Sequence, residues 1–88
     1  MEKQYFNIVT EKGLMPAEVY LRIEYKGIKM VLHQLPTLSR WRVSEYYTGQ
    51  MISKSRDEYK AIMKAITKLD INHEAATLKI EKAKKINP

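Results

Sequence analysis

Apolar and polar residues alternate with a period of two over the first half of the chain, and the period becomes helical near residue 53. Val19, Leu21, Ile23 and Tyr25 alternate with Tyr20, Arg22 and Glu24, as in a strand with one buried face. Lys26-Gly27 reads as a two-residue turn, and Ile28, Met30 and Leu32 resume the alternation against Lys29, Val31 and His33. Folding the chain there pairs Tyr25 with Ile28, Ile23 with Met30 and Leu21 with Leu32. The same register sets Glu24 opposite Lys29, a favourable cross-strand pair. A hairpin over 18–34 follows.

Residues 35–39 carry Pro36 and read as a loop, because proline lacks the donor that a central strand needs. A third strand covers 40–47, with Trp41 and Val43 on one face. A turn at Thr48-Gly49 leads to a short return strand at 50–53. Upstream, 4–10 is β-rich and supplies a further strand ahead of a loop at Gly13-Leu14-Met15-Pro16.

Ser55-Arg56-Asp57-Glu58 has the spacing of a capping box and opens a helix over 56–69. Tyr59, Ile62, Met63, Ile66 and Leu69 fall on one stripe of that helix. The stripe is expected to rest on the sheet face bearing Leu21, Ile23, Met30, Leu32, Trp41 and Val43. Asn72 can cap a second helical segment near 73–86, although Leu78-Lys79-Ile80 fits a strand as well. The basic end, 79–88, is expected to fray. The sum is one α+β domain over 1–88: an antiparallel sheet of three to five strands with a helix across one face.

Composition narrows the chemistry more than it names it. The 88 residues hold no cysteine, which excludes a disulfide scaffold, a thiolate metal site and a cysteine nucleophile. His33 and His73 lie on different elements with no metal-ligand spacing. The serines lack a nucleophile-elbow setting, and the three glycines stand singly. No enzyme activity, cofactor or metal is expected. The N-terminal residues are polar and no apolar run reaches membrane-spanning length, so a cytoplasmic protein without membrane contact is expected.

The net charge is +6, with seven basic and five acidic residues in 1–53 against nine and five in 54–88. Lys60, Lys64 and Lys68 recur along one helix face, and Lys82, Lys84 and Lys85 continue the basic character. Such a stripe fits a phosphate backbone, and it equally fits a solvated helix surface. The sheet face turned away from the helix gathers Tyr20, Arg22, Lys29, Val31, His33, Arg40, Arg42, Tyr46 and Met51. Tyrosine, methionine and arginine are enriched at protein interfaces. That face therefore points first to a binding module that contacts another protein or a second copy of itself. Rings interleaved with cations also suit single-stranded nucleic acid, the alternative partner. Cover by the protein's own N-terminal strand or C-terminal segment is the plain structural reading of the same residues.

Overall fold

The computed structural model describes residues 2–35 and 38–88; of the loop expected over 35–39, Leu35, Leu38 and Ser39 are strand instead, and Pro36 and Thr37 lie outside the described residues. Six strands precede two helices: β1 Tyr5–Thr10, β2 Gly13–Glu18, β3 Leu21–Tyr25, β4 Ile28–Leu35, β5 Leu38–Glu45, β6 Met51–Ser55, α1 Glu58–Ile71 and α2 His73–Lys82. Strands β3-β4-β5-β6 form an antiparallel sheet in sequence order, and β1-β2 form a separate hairpin. The fold is α+β in three layers, with the four-stranded sheet between the hairpin and the helices. No helix among the described residues is long and apolar enough to cross a membrane.

The β3–β4 hairpin has the register its sequence predicts: Tyr25 opposite Ile28, Ile23 opposite Met30, Leu21 opposite Leu32 and Glu24 opposite Lys29. Lys26 and Gly27 both take positive φ, at 49° and 83°, as a two-residue turn of type I′ demands. Lys26 Nζ and the Tyr25 hydroxyl both donate to Asp70 Oδ1, at 2.9 and 2.7 Å, which ties this turn to the end of α1.

Several sequence expectations change. Residues 13–16 are strand rather than loop, because Pro16 sits where the chain can spare a donor. Counting from the two-residue turn between Thr10 and Gly13, Pro16 and its partner Asn7 are a pair whose backbone groups face outward. The helix also starts later than the capping box implies. Ser55 is still paired with Trp41 in β6, and the N-cap is Asp57, whose Oδ1 accepts from Lys60 N at 3.0 Å. The helix is rotated as well. It buries Ala61, Ala65 and Leu69, whereas Tyr59 and Met63 remain 68% and 43% exposed. Alanine lets the helix backbone approach the sheet closely enough for Ser53 Oγ to donate to Ala61 O at 2.6 Å. A stripe led by Tyr59 and Met63 would hold the two apart.

The core below the sheet joins Ile28, Met30, Leu32 and Val43 to those helix residues, with Trp41, Ile52, Ala76 and Ile80 packed around it. Helix α2 buries none of its side chains fully. Beyond it the chain runs back to the hairpin instead of ending free: Asn87 is buried, and Ile86 N donates to Tyr47 O at 2.7 Å.

Candidate functional site

The sheet face opposite the helices is where sequence places the working surface, and the β1–β2 hairpin covers its centre. Phe6, Ile8 and Ala17 pack on Val31, which is fully buried, with Met15, Val19 and Tyr46 around them. Strand β4 is thus buried on both faces, which the uninterrupted Met30-Val31-Leu32 run reflects.

His33 lies in this interior at 1% exposure. The Phe6 ring meets it edge-on at 5.3 Å, and its Nε2 lies 2.8 Å from Ser44 Oγ. Ser44 is equally buried, so the pair joins β4 to β5 out of solvent's reach. Burial pushes the imidazole down from 6.5 to about 4, with the nearby Arg42 charge adding to the effect against an opposing backbone hydrogen bond at Gln34. Unfolded, the ring takes a proton below about pH 6.5; folded, it stays neutral to about pH 4. The stability from a neutral His33 is therefore complete above 6.5 and is lost as pH falls towards 4, to a total of up to about 3 kcal/mol. Thermal melts from pH 7.5 to 4.5 should show this acid slope, and His33→Gln should flatten it. Equal slopes in the two proteins would mean that the ring is not buried neutral.

The other sequence-selected residues separate. A β-bulge moves Tyr20 off the expected face. Tyr20 N donates to Leu32 O at 3.0 Å although Leu32 is already the partner of Leu21. Its ring therefore turns to the helix side and meets Trp41 at 4.6 Å. Arg40 is exposed, and Arg42 is half-buried with Nε unpartnered among the described residues. Lys64 and Lys68 lean towards the open edge of β6, donating to Lys54 O at 3.5 Å and Ile52 O at 2.8 Å. Lys60, Lys82 and Lys84 are exposed.

Arg22, Tyr46 and Lys85 do come together, joined by Lys29 and by Tyr47, which sequence reasoning passed over. Phe6 stacks on Tyr46 at 6.2 Å, and the Arg22 guanidinium lies 5.5 Å from the Tyr46 ring centre. Arg22 also donates to Gln4 Oε1 at 3.0 Å. Lys29 and Lys85, from β4 and from the far end of the chain, stand 5.9 and 5.1 Å from the centre of Tyr47. An open cavity of about 420 Å³ is lined by Arg22, Glu24, Lys29, Tyr46, Tyr47 and Pro88, and Lys85 borders a neighbouring cavity that shares Lys29 and Tyr47 with it. No carboxylate among the described residues forms an ion pair with Arg22, Lys29 or Lys85.

The turn that carries both tyrosines is fixed from below. Buried Glu45 accepts from Tyr47 N at 3.1 Å and Thr48 N at 2.8 Å, so backbone donors solvate its carboxylate. Gly49 closes the turn at φ 67°, and its carbonyl accepts from Val9 N at 3.0 Å. Asn87 locks the assembly. Its Oδ1 accepts from Asn7 N at 2.8 Å, while its Nδ2 donates to Asn7 O at 2.8 Å and Tyr46 O at 2.7 Å. One side chain therefore closes the outer edge of β1 and brings Lys85 to Tyr47.

Among the described residues no cluster of three or more histidine, aspartate or glutamate side chains could hold a metal ion. No family model, curated protein or solved structure matches the chain.

Proposed function

We propose that the protein is a non-enzymatic binding module and that its ligand is an acidic segment of another protein, held at the cation–tyrosine cavity. The observation that carries this reading is the convergence of Lys29 and Lys85 on Tyr47, next to Arg22 on Tyr46, without a neutralising carboxylate in contact. Like charges gathered around a concavity attract a ligand of the opposite sign and strengthen inside its walls. The tyrosine hydroxyls add hydrogen-bond capacity at the same place.

A protein ligand is favoured over nucleic acid by the state of the rings. Base stacking needs an open aromatic face. Tyr46 is already engaged by Phe6 and Arg22, and Tyr47 by two lysines and the edge of Tyr46 at 5.2 Å. Carboxylates need only the cations.

Fluorescence anisotropy with labelled polyglutamate and labelled oligothymidylate separates the partners. Polyglutamate should bind with an affinity that falls as salt rises, and Lys29→Ala/Lys85→Ala should weaken it roughly tenfold or more at little cost in thermal stability. Tighter binding of the oligonucleotide, or indifference to the double substitution, would overturn the proposal.

A further inference from the structure

Among the described residues, β6, β1 and β2 each carry a guard on their outer margin, and β3 does not. On β6, Lys68 and Lys64 cap the outward carbonyls of Ile52 and Lys54. On β1, Asn87 takes both backbone groups of Asn7, and Gly49 takes Val9 N. On β2, Pro16 removes an outward donor. These are the means by which proteins prevent edge-to-edge pairing. Strand β3 pairs only with β4, and none of these guards stands on its other side among the described residues.

The parity of the type I′ hairpin makes Tyr25–Ile28, Ile23–Met30 and Leu21–Leu32 the hydrogen-bonded pairs. The N–H and C=O groups of Arg22 and Glu24 therefore point away from the sheet. Beside this edge lies the outer part of the apolar stripe of α1, where Tyr59 and Met63 stay exposed and Ile62 and Ile66 are half-buried at the margin of the core. Tyr59 and Ile62 form a cleft with Tyr20 and Leu21 at one end, and Asp70 meets Tyr25 and Lys26 at the other. Met63 and Ile66 fall on the same stripe by helical spacing.

We infer that β3 is a dimerisation edge, pairing antiparallel with β3 of a second copy across a two-fold axis at Ile23, so that two four-stranded sheets become one of eight. Charge fixes the register. With the outward groups of residues 22 and 24 as the only donors and acceptors, the strands can centre on 22, 23 or 24. Centring on 22 sets Arg22 against Arg22 of the second copy, and centring on 24 sets Glu24 against Glu24. Centring on 23 sets Arg22 against Glu24 twice, an arrangement that is self-complementary. On the helix side the same register opposes Leu21 to Tyr25 and brings the two α1 stripes towards each other, covering apolar surface that a monomer leaves in water. The inference shares Arg22 with the acidic-ligand reading, since Arg22, Ile23 and Glu24 also line that cavity, but it does not rest on it: the ligand reading is tested at Lys29 and Lys85, which lie off this edge.

Sedimentation equilibrium over a micromolar concentration series tests it. The wild-type protein should approach twice 10.4 kDa. Arg22→Glu and Glu24→Arg should each weaken the dimer roughly tenfold, because each converts two attractive pairs into repulsive ones. The double reversal should restore the dimer, with melting temperatures reporting on the fold throughout. The chain has no cysteine, so Ile23→Cys supplies an independent readout. A pair that meets on the axis without hydrogen bonds has its Cα atoms about 4.5 Å apart, within disulfide reach, so mild oxidation should cross-link it. A 10.4 kDa species at every concentration, or failure of the double reversal to rescue, would overturn the inference.

Discussion

Val31→Asp is expected to abolish cooperative folding. The side chain it replaces has no exposed surface and is closed in by Phe6, Ile8 and Ala17 from the hairpin. A carboxylate there would be desolvated among apolar groups, at a cost of several kcal/mol. A domain of this size has on the order of 5–15 kcal/mol in total, so the loss consumes most of it. Val31→Ala, which removes only methyl groups, should cost about 2 kcal/mol. Leu14→Asp, on the exposed side of β2, serves as the control and should leave the melting temperature nearly unchanged. The contrast separates two descriptions of one face. Were the outer face open, Val31→Asp would be as harmless as Leu14→Asp. A melting temperature within a few degrees of wild type would mean that the hairpin does not cover the sheet.

The second large effect lies at the junction of β1, the tyrosine-bearing turn and the end of the chain. Gly49→Ala should destabilise the protein by about 3 kcal/mol for two reasons. An alanine at φ 67° carries a backbone cost of roughly 1–2 kcal/mol. Its Cβ would also stand 2.7 Å from Asn7 O and from Ile86 Cδ1, and 3.0 Å from Ile8 Cα. The isoleucine methyl can yield, but the two backbone atoms of β1 can move only with the strand. At about 4–8 °C per kcal/mol for a domain of this size, the melting temperature should fall on the order of 15 °C. Asn87→Ala should cost less, about 1–3 kcal/mol, by leaving Asn7 N, Asn7 O and Tyr46 O without that partner. A Gly49→Ala protein as stable as wild type would show that the junction is looser than described.

Elements held by local chemistry were legible in the sequence. The β3–β4 register followed from alternation and from Glu24 opposite Lys29, because a two-residue turn leaves little freedom. Elements held by distant partners were not. Pro16 argued for a loop because proline forfeits a donor, and only pairing with Asn7 shows that this donor would face outward. The helix stripe was right at Leu69 and, in part, at Ile62, and wrong at Tyr59 and Met63, because close approach to Ser53 selects Ala61 and Ala65 over bulk. Asn87 looked like part of a fraying tail, and its three hydrogen bonds reach positions 80 and 41 residues away in sequence.

The candidate site divided along the same line. Arg22 and Tyr46 share a sheet face by alternation, so both were found. A bulge took Tyr20 to the other side, and the hairpin took His33 out of solvent. Tyr47 and Lys85 meet because Asn87 returns the chain to β1, and neither alternation nor charge count encodes that return.

The cation–tyrosine cavity is the proposed seat of an acidic protein segment. An amide-resolved NMR titration of the protein with polyglutamate is the decisive measurement. Shifts should concentrate on Lys29, Tyr46, Tyr47 and Lys85 and saturate together, while Lys60 and Lys64 on α1 stay unmoved. Shifts centred on the α1 lysines, or spread evenly over the basic surface, would contradict it.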